Sequence, residues 1–333
     1  MSNVALNGYG RIGRVILRNL FERGLNKELN VVAINDLGDP KILMHLTRFD
    51  SAFGRFPGEM HLDGDTLYIN DHPIRLLSEK DPSKLPWKDL GVELVMENTG
   101  RFKKRELAEQ HLTAGAKKVL LSHPAGFADK TIVYGVNDDL LSDDLHIVSN
   151  ASCTTNCLAP LAKVLHEAVG IRKGLMTTIH SYTNDQNLLD RDHKDLYRSR
   201  AAAMNIIPTT TGAASAIGLV IPALQGRMDG LAVRVPSPNV SLVDLTFNAE
   251  KPVDVEIINN AIKEGAKRLP KYVLEASDLP LVSRDFSGYP VSSIVDLNQT
   301  HVQDDLVKVL SWYDNEWGYS NRMLDIAKVW LKV

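Results

Sequence analysis

The feature that most restricts the fold is the run Gly8-Tyr9-Gly10-Arg11-Ile12-Gly13. It follows the apolar triplet Val4-Ala5-Leu6 and precedes a stretch with helical apolar spacing, Val15 to Leu20. G-x-G-x-x-G alone is a weak signal, because turn glycines are common. Here a second β-branched run, Val31 to Ile34, ends at Asn35-Asp36, so the glycines sit inside a strand–helix–strand unit. Asp36 lies 23 residues beyond Gly13, near the spacing at which an acidic side chain reaches an adenosine ribose. In such a unit Gly8 allows the tight turn and Gly10 lets backbone approach a pyrophosphate. Gly13 lets the helix pack closely, and the helix N-terminus offers N–H donors and its positive dipole end. The unit predicts a dinucleotide site; the competing explanation is a glycine turn without a ligand. A carboxylate at Asp36 would repel a 2′-phosphate, which favours NAD over NADP.

The rest of the first half repeats this alternation. Short apolar runs at Glu93–Met96, Val119–Leu121, Thr131–Val136 and Ile147–Val148 read as strands, and Lys103–Ala114 as an amphipathic helix. Continuous β-branched runs separated by helices predict a doubly wound (Rossmann) parallel sheet covered on both faces. After a helix over Thr154–Ala168 the pattern changes. Strand-like runs follow one another with little helix: Leu175–His180, Leu231–Val235, Val240–Phe247, Ser292–Leu297 and Leu306–Trp312. That succession predicts an α+β catalytic domain with a mainly antiparallel sheet. The 333 residues fit two domains at roughly 150 residues each. The expected division is a dinucleotide-binding domain over 1–149 and a catalytic domain over 150–317, with the C-terminal helix 318–333 packing back on the first. The polar stretch Asn184–Ala203 has no clear period, and a loop of that length in a compact domain is usually functional.

Composition narrows the partners. Thirty-eight Lys+Arg against 41 Asp+Glu leave a net charge of −3, which gives no electrostatic footprint for nucleic acid or an anionic membrane. No apolar run approaches the ~18 residues of a membrane helix, and the first residues lack the basic region of a signal peptide. Two cysteines four positions apart are no disulfide framework, which points to a reducing compartment. The expectation is a cytoplasmic enzyme or binding protein.

The cysteines lie in Ser149-Asn150-Ala151-Ser152-Cys153-Thr154-Thr155-Asn156-Cys157, just before the helical pattern. Ser149, Asn150 and Ser152 are N-cap residue types, so Cys153 falls in or beside the first turn. A thiol there meets unpaired N–H groups and the positive dipole end, which predicts a lowered pKa and an available thiolate. Cys157 is one turn further in, on the same face and more buried. Core packing, half of a zinc site without a second Cys pair, and a redox pair compete with this reading; no metal site is expected. His180, 27 residues beyond Cys153, is the natural base for a thiol, but spacing alone does not bring the two together.

Together these residues resemble the glyceraldehyde-3-phosphate dehydrogenase family almost end to end. The motifs that carry it are NGYGRIG (Asn7–Gly13), SNASCTTNC (Ser149–Cys157), HSYTNDQ (His180–Gln186), IIPTTTGAA (Ile206–Ala214), AVRVPSPNVS (Ala232–Ser241) and SWYDNEWGYSNRM (Ser311–Met323). The resemblance implies a phosphorylating, NAD-dependent aldehyde dehydrogenase of glycolysis or gluconeogenesis, usually a cytoplasmic homotetramer. It makes Cys153 the nucleophile and His180 its activating partner. Thr183 and Arg234 would hold the phosphate of the aldehyde. Ser152, Thr154, Thr211 and Gly212 would hold the attacking inorganic phosphate, with Arg198 as a shared cation. Arg11, Ile12, Asp36, Ser122 and Asn315 match NAD-contacting positions, Asn315 at the nicotinamide amide and Lys80 as a weaker contact. The loop Asn184–Ala203 would line a neighbouring subunit's cofactor site.

The sequence departs from the family pattern in places. Tyr197 stands where many members carry a second Arg beside Arg198, and Arg191-Asp192 replaces a Leu-Pro pair usual in NAD-preferring members, which leaves room for NADP use. SHPAG (Ser122–Gly126), LPLVSRDF (Leu279–Phe286) and NQT (Asn298–Thr300) are similar to the erythrose-4-phosphate dehydrogenase branch, the alternative within the family. That branch usually lacks Tyr182-Thr183-Asn184 and Thr211-Gly212, both present here, so the triose substrate is expected. Outside the family, a Cys–His hydrolase would have no use for a dinucleotide fingerprint, and a non-catalytic sensor would not need Cys153 for turnover.

Overall fold

The computed structural model describes residues 1–333 and divides into two units. One comprises Met1–Ile132, Asp138–Ala151 and Ser320–Val333; the other comprises Val133–Asn137 and Ser152–Tyr319.

In the first unit the apolar run after Met1 forms β1 (Ser2–Asn7), and the helix α1 (Arg11–Glu22) starts directly behind Gly10, which has no side chain to cap it. β2 (Leu29–Asn35), α2 (Pro40–Arg48), the small ladder β3 (Phe49–Asp50) with β4 (Gly54–Arg55), and the meander β5 (Met60–Asp63), β6 (Thr66–Ile69), β7 (His72–Leu77) follow. Then come β8 (Leu94–Glu97), α3 (Arg105–Thr113), β9 (Lys118–Leu121), β10 (Lys130–Thr131) and β11 (Ile147–Ser149). The sheet order is β10-β11-β9-β8-β1-β2-β7-β6-β5. All neighbours are parallel as far as β7, and the last two pairs are antiparallel. β1 therefore has β2 on one side and β8 on the other. That is the switch point of a doubly wound sheet, where the carboxyl ends of strands leave a crevice.

The expected strand Thr131–Val136 shrinks to Lys130–Thr131, because the chain turns at Gly135 with φ +78°. The meander β5–β7 carries no helix-to-strand alternation and was not expected. Its second hairpin turns on Asn70-Asp71, both at positive φ (47° and 64°), the backbone a two-residue hairpin of right-handed twist requires.

The second unit contains α4 (Cys153–Val169), β12 (Ile171–Ser181), β13 (Ile207–Thr210), α5 (Ala213–Val220), β14 (Met228–Val235), β15 (Ser241–Ala249) and α6 (Val255–Arg268). β16 (Leu274–Ser277), β17 (Ser293–Gln303) and β18 (Leu306–Tyr313) complete it, and α7 (Trp317–Leu331) follows. The sheet runs β13-β14-β12-β15-β18-β17-β16. It is mainly antiparallel, with β12–β14 and β16–β17 parallel. Along β15 residues alternate strictly between buried and half-buried, as a strand covered on one face must. α4 is the helix expected over Thr154–Ala168, whereas α5 and α6 contradict the expectation of little helix beyond it. In α6 the core-facing residues are Ile258, Ile262 and Gly265, at the i, i+4, i+7 spacing of an amphipathic helix. Gly265 is there because a Cβ would lie 2.4 Å from Val164 of α4.

Candidate active site

Ser152 caps α4: its Oγ accepts from the Thr155 backbone N–H at 3.0 Å, so Cys153 is the first helical residue. β12 ends at His180-Ser181 and runs parallel to β14 with His180 level with Arg234. The Sγ of Cys153, half-buried, lies 3.5 Å from His180 Nε2. His180 Nδ1 is 2.7 Å from the Ser181 carbonyl oxygen. A carbonyl only accepts, so Nδ1 carries the proton and the Nε2 lone pair faces the sulfur. Arg234 Nη1 donates to the same carbonyl at 2.9 Å and stands 3.0 Å from Nδ1.

Burial governs the charges here. It raises the Cys153 thiol pKa, and the nearby Arg234 guanidinium pulls it back. Burial pushes His180 down to about 3, and Arg234 adds to the fall. The expectation of a thiol lowered by the helix N-terminus alone is thus not met: desolvation outweighs it. Neither charge is favourable by itself, so burial holds the thiol and the imidazole in their neutral forms. Cys157 is fully buried, its sulfur 3.7 Å from Ser293 Oγ, and its pKa is pushed up to about 12.

Two residues that sequence reasoning missed frame the pair. The Tyr313 hydroxyl lies 2.8 Å from both Thr154 Oγ1 and Thr178 Oγ1, and its ring meets the His180 ring edge-on with centroids 6.0 Å apart. Asp314 accepts from Asn239 Nδ2 and from the backbone N–H groups of Gly288, Glu316 and Trp317. It fixes the turn that carries Asn315, whose Oδ1 accepts from Ser181 Oγ (2.9 Å) and Ser241 Oγ (3.1 Å). Asn315 therefore presents its amide NH₂ as donor. Both missed residues lie in the run Ser311–Met323, where only Asn315 had been singled out.

The expected anion-binding residues fall into two groups. Arg234 and Thr183 are together, Nη1 to Oγ1 3.4 Å. Arg234 makes no ion pair; its Nη1 is engaged by the Ser181 carbonyl and Thr183, and its buried Nε has no partner. Arg198 is already engaged by Asp185, by Asp195 at 3.5 Å, by Thr209 Oγ1 at 3.0 Å and by the Thr210 carbonyl at 3.1 Å. The Ser152 hydroxyl serves the helix cap and that of Thr154 is buried against Tyr313. Thr211 Oγ1 accepts from the Ala213 N–H, and Gly212 is the N-cap of α5.

The first unit holds a cleft of about 450 Å³ at the switch point, lined among others by Gly8, Gly10, Asp36, Lys80 and Thr99. The glycines fit a dinucleotide for three separate reasons. Gly8 has φ +88°, and a Cβ would lie 2.7 Å from Thr99 N. Gly10 has nothing within 4 Å of where a Cβ would stand, so it keeps the approach open. At Gly13 a Cβ would lie 2.3 Å from the Gly8 carbonyl. Asp36 accepts from Tyr9 N–H (2.7 Å) and Gly38 N–H (2.8 Å), one per oxygen, which leaves lone pairs for hydroxyls. The Arg11 guanidinium turns to Asp50 and lies over the Phe53 ring, and neither Arg11 nor Ile12 is among the lining residues. Ser122 Oγ donates to the Glu97 carbonyl at 3.1 Å and is not among the lining residues.

A Rossmann unit with this cleft, and a second unit that sets a thiol against an imidazole, define an NAD-dependent oxidoreductase acting on an aldehyde. Residues 2–105 match the family model described as glyceraldehyde 3-phosphate dehydrogenase, NAD binding domain, and residues 152–315 match its C-terminal domain. The chain is 56% identical over 325 residues, 97% of each chain, to the plasmid-encoded glyceraldehyde-3-phosphate dehydrogenase of Cupriavidus necator. It is 56% identical to that of Xanthobacter flavus over the same share. Against that of Geobacillus stearothermophilus it is 54% identical over 326 residues, 97% of this chain and 96% of the relative. The chain belongs to the glyceraldehyde-3-phosphate dehydrogenase family. No helix is long and apolar enough to cross a membrane.

Proposed function

We propose that the protein oxidises D-glyceraldehyde 3-phosphate with NAD⁺ and inorganic phosphate to 1,3-bisphosphoglycerate through a thioester on Cys153. The observation that carries this is the 3.5 Å contact of Cys153 Sγ with the lone-pair nitrogen of His180, beside the Arg234 guanidinium, which no carboxylate neutralises. His180 Nε2 takes the thiol proton, and the sulfur forms a bond to the aldehyde carbon. The carbonyl electron pair moves to oxygen, which receives that proton, giving a hemithioacetal. NAD⁺, when bound, supplies the acceptor for the hydride of that carbon. His180 removes the hydroxyl proton as the C=O re-forms, leaving a thioester. An oxygen of inorganic phosphate then attacks the acyl carbon, and the C–S bond breaks with its electrons returning to sulfur.

Arg234 with Thr183 holds the phosphate of the aldehyde. Arg198, Ser152, Thr154, Thr211 and Gly212 form the pocket of the attacking phosphate, the backbone there completing the donor set. The Gly8–Gly13 turn with the N–H groups of Arg11 and Ile12 receives the pyrophosphate, Asp36 the ribose, Asn315 the nicotinamide amide, with Lys80 and Ser122 at the rim. The protein works as a cytoplasmic homotetramer. Leu188, Leu189, Leu196 and Ile206 are each more than two-thirds exposed along one loop, apolar area that a second copy would cover.

The test is turnover of the pure protein with both glyceraldehyde 3-phosphate and erythrose 4-phosphate, both nicotinamide cofactors, and varied phosphate. Preference for the tetrose, or turnover independent of phosphate, overturns the reading.

A further inference from the structure

A buried polar chain that the proposed chemistry does not use lies under the cofactor cleft. Glu97, at the end of β8, and His111, in α3, are both fully buried. Trp87 Nε1 donates to His111 Nδ1 at 3.0 Å, and an indole nitrogen can only donate. Nδ1 is therefore the bare nitrogen, and Nε2, 3.2 Å from Glu97 Oε2, donates to that carboxylate. The Asn7 amide also donates to Oε2, while the backbone N–H (2.9 Å) and hydroxyl of Thr99 donate to Oε1. Four donors thus meet one carboxylate whose histidine partner is held in its neutral tautomer, a satisfied network of the kind that rigidifies its surroundings.

Every exit from this chain is a lining residue of the cleft. Asn7 and Thr99 both line it. Asn7 Oδ1 accepts from the amide of Asn35, another lining residue, at 2.7 Å. The His111 ring stacks on Phe102, also lining, with centroids 5.4 Å apart and planes 14° from parallel. We propose that Glu97 and His111, locked by Trp87, are positioning residues for dinucleotide binding: they hold Asn7, Thr99 and Phe102 in the geometry that receives NAD. The proposal rests on the cleft being the NAD site.

The experiment is calorimetric titration of NAD⁺, without aldehyde, into wild type, Glu97→Gln, Trp87→Phe and Val92→Ala. Gln at 97 points an NH₂ at donors that need an acceptor, and Phe at 87 removes the lock on His111. Val92 is equally buried in the apolar cluster around Trp87 but outside the chain, so its variant reports lost stability alone. The expected result is NAD⁺ binding weakened about tenfold in Glu97→Gln and several-fold in Trp87→Phe. Val92→Ala should keep wild-type affinity despite a comparable fall in Tm, and all variants should retain the wild-type rate of Cys153 alkylation. If Glu97→Gln does not fold, Trp87→Phe decides. Unchanged affinity in the folded chain variants, or affinity that follows Tm across all three, overturns the proposal. A wild type that bound no NAD⁺ would remove the reading of the cleft as well.

Discussion

His180 and Arg234 stand level on adjacent parallel strands, and their Nδ1 and Nη1 converge on one acceptor, the carbonyl oxygen of Ser181. That shared acceptor fixes the imidazole tautomer and holds a cation against the thiol–imidazole pair. A rotation of the ring would bring a bare nitrogen to the carbonyl and lose the bond, so the base is aimed at the sulfur by backbone rather than by a carboxylate.

Replacing His180 with Asn removes the only proton acceptor in contact with Cys153. Turnover should fall by about 10²–10⁴-fold, the usual scale for a general base. Without the imidazole to take its proton, the thiol that burial already holds above its ordinary pKa should be alkylated by iodoacetamide more slowly at neutral pH. A near-wild-type rate in the variant removes His180 from the mechanism.

Arg234→Leu should raise KM for the phosphorylated aldehyde far more than for an unphosphorylated analogue, because the Arg234 cation beside Thr183 has no carboxylate partner of its own. The signs on the two titrating groups follow from the charge. Arg234 lowers both the Cys153 and the His180 pKa, so its loss should shift both upward. Equal effects on the two substrates would rule out the phosphate-pocket role.

Cys153→Ser should abolish essentially all turnover yet retain NAD⁺ binding by calorimetry, since the cleft of the first unit does not include residue 153. Cys157, buried and with its pKa pushed up to about 12, stays a thiol at neutral pH. Mass spectrometry after brief alkylation should therefore find one modified cysteine per chain, and that one at Cys153. Modification of Cys157 at a similar rate would contradict its burial.

Much of this was legible in the residues. Gly8–Gly13 with Asp36 pointed to the cleft because each glycine answers a local constraint: a positive φ, an open approach, a contact with a carbonyl. The strand carrying His180 was readable from its β-branched run. Its nearness to Cys153 was not, because that depends on the order of strands in a sheet, and no spacing encodes it. The helix α6 carries a legible stripe, Ile258, Ile262 and Gly265 at helical spacing, overshadowed by the strand-like runs on either side. Arg198 was readable as a cation but not as one already paired with Asp185, a contact across 13 residues of loop. Tyr313 and Glu97 were invisible as functional residues for the same reason: a buried Tyr or Glu at a strand end looks like packing until its partners are seen.

Tyr313 offers the sharpest test of that lesson. Its hydroxyl is 2.8 Å from Thr154, next to the nucleophile, and 2.8 Å from Thr178, two residues before the base. The tyrosine thus links the start of α4 to the end of β12, the two elements whose separation sets the Sγ–Nε2 distance. Tyr313→Phe keeps the ring against His180 but leaves two buried threonine hydroxyls without that partner, which costs about 1–3 kcal/mol. The expected result is a lower Tm together with a fall of about tenfold in kcat, since small displacements of reacting groups are expensive. KM for NAD⁺ should stay unchanged, because Tyr313 does not line the cleft. A variant with reduced Tm and full kcat would make Tyr313 a packing residue only.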